Sequence, residues 1–140
     1  MIDQPSPQKK EALVVGEQGE TFVRQHLENR GWQIVASRWH CRWGELDLVA
    51  FDPQTKILAF VEVKTRQRWS LDHQGLLAIT PSKQRKTIRA AMQFLGQFPQ
   101  YENYGCRFDV ALVTHVKSTS PDPCFTLTAY LEGAFEADAF

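Results

Sequence analysis

No apolar run in this chain approaches the roughly 20 residues needed to cross a bilayer. The opening Met1-Ile2-Asp3-Gln4-Pro5 also lacks the apolar stretch of a secretory signal. Together these absences lead to the expectation of a cytoplasmic protein that does not engage a membrane. Cysteine is scarce: Cys41, Cys106 and Cys124 are odd in number, widely spaced and without a C-x-x-C pair. That argues against a disulfide framework and against a thiolate zinc site, and leaves free thiols. Net charge is missing as well, since 16 Lys and Arg balance 16 Asp and Glu, which speaks against a uniformly basic surface. No internal repeat is visible. With 140 residues, the expectation is a mobile N-terminal tail over 1–12 and one domain over 13–140.

Charge is distributed unevenly. From Lys64 to Arg89 there are seven basic residues (Lys64, Arg66, Arg68, Lys83, Arg85, Lys86, Arg89) and one acid, Asp72. Such a segment is either a solvated face or a patch that displaces counterions from a phosphate backbone.

That basic segment begins at the end of a hairpin pattern. Gly44 to Phe51 and Lys56 to Lys64 are β-branched and aromatic runs divided by Asp52-Pro53-Gln54-Thr55. Alternation along the strands puts Glu45 and Asp47 on one face with Glu62 and Lys64. A symmetric turn would set Phe51 opposite Lys56, Asp47 opposite Phe60, and Glu62 opposite Glu45 and diagonal to Asp47. Three crowded carboxylates destabilise a sheet unless a cation compensates them, either a bound ion or Lys64. Ile57 to Val63 is apolar on both faces, as in a central strand, so its polar end is conspicuous. There a carboxylate can ligate a hard cation, and an ammonium can reach a phosphate or an attacking water.

The periodicity of Leu13 to Arg30 predicts a helix closed by Gly31, with Glu20 on the apolar stripe and Glu17 on the polar face. An inward acid is either bound to a metal or paired with a core-edge cation such as Arg107. Trp32 to Ser37 reads as a strand. The basic, aromatic connection Arg38-Trp39-His40-Cys41-Arg42-Trp43 that follows can stack on unpaired bases or pack against the body. His40 and Cys41 have no second Cys or His at ligand spacing, which disfavours a metal pair. Gln67 to Ile79 reads as a loop. Thr80 and Pro81 then start a helix whose buried stripe is Ile88, Ala91 or Met92, and Leu95. Basic residues in its first turns gain nothing from the helix dipole, so a ligand phosphate is a natural partner. In the strand Cys106 to Val116, Arg107 and Asp109 share a face, and a mutual ion pair is favoured over catalysis. A last strand, Phe125 to Leu131, follows the turn Ser120-Pro121-Asp122-Pro123. Beyond it, the acidic segment from Glu132 to Phe140 carries two Phe that can dock on the body. The pattern as a whole predicts an α/β fold: a mixed sheet of about five strands, the hairpin central, a helix on each face.

At Gly44-Glu45-x-Asp47 followed by Phe60-Val61-Glu62-Val63-Lys64-Thr65-Arg66, the sequence resembles the YraN-type family of small bacterial proteins. That family is similar to the PD-(D/E)XK nucleases, including archaeal Holliday-junction resolvases. Further marks are Gly16-Glu17-x-Gly19-Glu20, the Lys83 helix, Arg107-Phe108-Asp109-Val110 and Glu132-Gly133-Ala134-Phe135. The resemblance implies a restriction-endonuclease-like core. It implies that Asp47, Glu62 and the Val63 carbonyl hold Mg²⁺, with Mn²⁺ as a substitute, and that Lys64 orients water or stabilises the pentavalent phosphorus. Glu20 would complete the catalytic set from the first helix. Arg66, Arg68, Lys83, Arg85, Lys86 and Arg89 would bind nucleic acid, with Glu45, Arg107 and Asp109 in support. The implied activity is endonucleolytic hydrolysis of structured or branched DNA, in preference to RNA, by a chain that can work as a homodimer. The alternatives are a noncatalytic nucleic-acid-binding or adaptor protein of the same fold, and a structural domain whose acids are ion pairs. The chain departs from the family at Arg38, where Asn is frequent, and after Arg66, where an aromatic-Gly pair is usual.

Overall fold

The β-branched and aromatic runs of the sequence pair into one sheet. The structure is a computed structural model and describes residues 6–67, 79–116 and 124–137. Helix α1 (Pro7–Asn29) precedes β1 (Gln33–Cys41), β2 (Gly44–Asp52) and β3 (Ile57–Gln67). Helix α2 (Pro81–Gln97) and a single 3-10 turn (Pro99–Tyr101) then lead to β4 (Gly105–Val116) and β5 (Cys124–Phe135). The five strands lie in the order β1-β2-β3-β4-β5. All neighbours are antiparallel except β3 and β4, which run parallel and need the crossover that α2 supplies. The mixed α/β sheet expected from the pattern is thus the observed fold.

Several boundaries differ from the sequence reading. Helix α1 starts at Pro7, so residues 7 to 12, read as tail, are helical. Strand β1 runs on to Cys41 and absorbs most of the aromatic connection. Strand β5 continues to Phe135, whose ring stacks on Phe108 at 4.9 Å. The expected loop after Gln67, up to residue 78, and the Pro-rich turn before β5 lie outside the described residues.

Each sheet face buries its own core. On one, Val23 and Leu27 of α1 pack on Leu48, Ala50, Ala59, Val61, Ala111 and Val113. On the other, Ile88, Ala90, Ala91 and Phe94 of α2 pack on Leu46, Val49, Leu58, Phe60 and Phe108. Alternation along β3 therefore sends Leu58 and Phe60 toward α2, and Ala59 and Val61 toward α1. Burial on both faces is why this strand reads as an unbroken apolar run. Of the two candidates for the α2 stripe, Ala91 is buried and Met92 is 66% exposed. Among the described residues no helix is long and apolar enough to cross a membrane.

The hairpin register differs from the symmetric-turn expectation by two residues. Asp52 pairs with Ile57 and Phe51 with Leu58, so the loop comprises residues 53 to 56. The cause is local. Asp52 accepts from the Gln54 N–H at 3.1 Å and from the Thr55 hydroxyl at 2.7 Å, and Lys56 closes the loop with φ 56°. Because the shift is even, face parity is kept but partners change.

Helix α1 comes close to the sheet at Gly19, where a Cβ would overlap the Thr65 hydroxyl. This seats the neighbouring Glu20 at the sheet edge of the helix. Gly19→Ala is expected to lower stability by about 1–3 kcal/mol. Thr65→Ala in the same chain should restore most of that loss, and urea unfolding of the two single variants and the double variant checks the coupling.

Candidate active site

Besides a register shift between Ile34 and Ala36, regular alternation of β1 and β2 fails near Arg38 and Asp47. Trp39 pairs with Leu46 and Ser37 with Leu48. Yet Leu46 and Trp39 belong to the α2-side core, while Leu48 belongs to the α1-side core. Residues two apart in a regular strand share a face, so the strands are kinked between these pairs. Arg38, across from Asp47, has φ 49°, a left-handed conformation that marks the kink.

The kink turns the Asp47 side chain toward β3. Backbone pairing of β2 with β3 extends only to Leu48 and Val61. Beyond it, the Val63 N–H donates to Asp47 Oδ2 at 2.8 Å. A carboxylate thereby takes the role of a ladder carbonyl.

Glu62 and Lys64 follow Leu58 and Phe60 on the α2 face of β3. Glu62 is buried, and its Oε1 lies 3.7 Å from Lys64 Nζ and 2.6 Å from Lys83 Nζ. Lys83 reaches it because Thr80 caps α2 by accepting the Lys83 N–H, which sets the first turn beside the site. Burial, then the nearby Glu62 charge, pushes the Asp47 carboxyl up to about 7, against the lowering effect of the Val63 N–H. Burial, then the facing Lys83 ammonium, brings Lys64 down to about 8, while Glu62 pulls the other way. For Lys83, burial opposes the charge, but the contact with Glu62 outweighs it and proton affinity is raised.

Glu20 approaches from the α1 side. Arg38 donates from Nε to Glu20 at 2.8 Å, and its Nη1 lies 3.0 Å from Glu17. The expected partner Arg107 is engaged elsewhere, so the Glu20 ion pair is made with Arg38 instead. Glu20 still adds to the field that raises the proton affinity of Asp47. Glu45 stands apart: it is exposed, 3.2 Å from His40, because the kink breaks the alternation that would have carried it to Asp47.

Arg107 and Asp109 form the mutual ion pair favoured by the sequence. Asp109 is fully buried and accepts from Arg107 Nε (2.8 Å) and Nη2 (2.9 Å), the Tyr130 hydroxyl (2.7 Å) and the Gly133 N–H (3.0 Å). These contacts tie β5 to β4. Arg66 donates to the Thr65 carbonyl, Arg85, Lys86 and Arg89 are exposed on α2, and Arg68 lies outside the described residues.

Sequence reasoning grouped Lys83 with the nucleic-acid-binding cations and noted Arg38 as part of the basic, aromatic connection and as a departure from the family. Both bind acids of the site. The signal for Lys83 was its position: a cation in the first turn of a helix opposes the dipole, and the compensating anion proves to be Glu62.

Among the described residues no three His, Cys, Asp or Glu side chains converge on one point. Asp47 and Glu62 are electrostatically interacting carboxylates, and this pair could offer oxygens to an ion. Of the three acids, Asp47 alone has no Lys, Arg or His within ion-pair distance among the described residues. Hard oxygens and few protein ligands would suit a divalent ion that keeps several waters.

A carboxyl whose folded pKa is raised favours the folded state at low pH, and that advantage disappears as pH rises from the unfolded value toward about 7. In chelator, Asp47→Asn should therefore be more stable than the parent at about pH 8, by on the order of 2 kcal/mol, and the difference should shrink toward about pH 4. Thermal melts of both proteins across pH test this.

Residues 19–113 match the family model described as uncharacterised protein family UPF0102, a span that holds Glu20, Asp47, Glu62, Lys64 and Lys83. A UPF0102 protein of Synechococcus sp. (strain JA-3-3Ab) is 49% identical over 130 residues, covering 93% of this chain and 97% of that protein. A UPF0102 protein of Thermosynechococcus vestitus is 48% identical over 125 residues, covering 89% and 96%. One from Nostoc sp. is 41% identical over 133 residues, covering 89% and 95%. With family match and relatives extending over the fold and its acidic site, this chain belongs to the UPF0102 family, the YraN-type family that its motifs resemble.

Proposed function

We propose that this chain is a divalent-cation-dependent endonuclease hydrolysing phosphodiester bonds in structured or branched nucleic acid, DNA in preference to RNA. The observation that carries the reading is the joint placement of Asp47, Glu62 and Lys64, with Asp47 fixed by the Val63 N–H and lacking a cation of its own. Asp47, Glu62 and the Val63 carbonyl would hold Mg²⁺ or Mn²⁺. When bound, the ion supplies charge neutralisation at the phosphate and an activated water.

The protein's own groups supply the rest. In its charged form Lys64 donates to a phosphate oxygen or orients the attacking water. With its proton affinity lowered to about 8, it can also pass a proton near neutral pH. Lys83 holds Glu62 in place, and its ammonium would also serve as a donor to a phosphate bound beside that carboxylate. Arg38 fixes Glu20 on the opposite side and so limits the negative charge facing Asp47.

A second reading rests on the same Lys83 contact. At 2.6 Å the ammonium already neutralises Glu62, which suits a noncatalytic nucleic-acid-binding protein that has kept the fold. The two readings differ in cleavage. With branched DNA and Mg²⁺ or Mn²⁺, the endonuclease reading expects cutting that chelator abolishes and that Glu62→Gln or Lys64→Ala reduces about a hundred-fold or more, while DNA binding persists. Binding without cutting under any of these conditions would establish the second reading.

A further inference from the structure

Lys83, Lys86 and Arg89 are spaced by three and fall along one stripe of α2, about 9 Å from first to last. Lys83 touches Glu62. At Lys86 the helix comes close to the start of β2, its carbonyl oxygen lying 3.4 Å from where a Cβ on Gly44 would stand. The Arg89 guanidinium lies 5.1 Å from the centroid of the Trp43 ring, and that of Arg42 lies 4.7 Å from it. The stripe thus leads from the acidic site to an indole that is 39% exposed. Beside the indole, Met92 is 66% exposed, and the two help to line a shallow groove of about 620 Å³ with Gln93 and Gly96. Among the described residues no carboxylate pairs with Arg42, Lys86 or Arg89.

We propose that this groove is a stacking subsite for an unpaired nucleotide flanking the phosphate held at the acidic site. The indole is partly exposed with two guanidinium groups over its ring; a base can stack there when a guanidinium turns aside to a flanking phosphate, and these cations match the phosphates on either side of the base. An apolar protein partner would leave these cations desolvated without counter-charge, whereas a nucleic acid strand supplies both a π-face and anions. The inference rests on the nucleic-acid reading of the site but not on hydrolysis. It gives the substrate a class: a strand with single-stranded character next to the cut, as at a flap or junction.

The test measures binding of dye-labelled oligothymidylate and of a blunt duplex of equal length at low salt, in chelator. Trp43→Ala is expected to weaken binding of the single strand about ten-fold or more and to leave the duplex nearly unchanged, and Trp43→Phe should recover most of the loss. Arg89→Ala should weaken both and lower the salt slope by about one, whereas Arg24→Ala, on the outer side of α1, should change neither. Thermal melts confirm that the Trp43 variants are folded. If the wild type binds single strands and Trp43→Ala binds them equally well, or loses both substrates alike, the subsite is wrong while the nuclease reading stands. If the wild type binds neither substrate, both fall. If Trp43→Ala converts a dimer to a monomer without altering affinity for DNA, the groove is a protein interface and the inference is overturned.

Discussion

The Val63 N–H donates to Asp47 at 2.8 Å, and much of the site's arrangement follows from that contact. A backbone donor in a sheet must find an acceptor, and a strand that meets this need with a side chain fixes a charge in the plane of the ladder. The kink between Ser37 and Trp39, opposite Asp47, makes this geometry available. Because β3 continues straight past Val63, Glu62 and Lys64 project to the α2 side while Val63 and Thr65 face α1. Asp47 then lies between two layers, within electrostatic reach of Glu62 on one side and Glu20 on the other.

Charge compensation follows the same division. Glu62 is met by Lys83 from α2, and Glu20 by Arg38 from β1. Each of those acids has a cation brought by a neighbouring element, and the central one does not. Removing Arg38 would leave the partly buried Glu20 without its cation, and removing Lys83 would leave the buried Glu62 with only the more distant Lys64 ammonium at 3.7 Å, each a costly change in a low-dielectric surrounding. The site is thus held together by ion pairs around one carboxylate whose proton affinity is raised by burial and by its acidic neighbours. The fully satisfied Asp109 is the contrast, since it has Arg107 and two further donors and serves to join β4 to β5.

The parts of this arrangement legible in the sequence were those set by local period. The hairpin, the five-stranded sheet, the helices on opposite faces and the shared face of Glu62 and Lys64 all follow from alternation and burial within single elements. The inward position of Glu20 was legible from helical spacing. What the residues did not disclose was long-range or depended on one unusual backbone angle. The two-residue register shift arises from Asp52 side-chain bonds and the left-handed Lys56. The separation of Glu45 from Asp47 arises from the kink at Arg38. The partners of Glu62 and Glu20 lie 21 and 18 residues away in sequence, and periodicity carries no signal for such pairings.

The claim that Asp47 is an acid awaiting a cation is tested most directly by calorimetric titration of Mg²⁺, and separately Mn²⁺, into the wild-type chain and Asp47→Asn at about pH 8, above the raised carboxyl pKa. The account predicts saturable binding in the wild type that is lost in Asp47→Asn, with proton release that grows as the titration is repeated at lower pH. Absence of binding in the folded wild type, or equal binding in the two proteins, would contradict it.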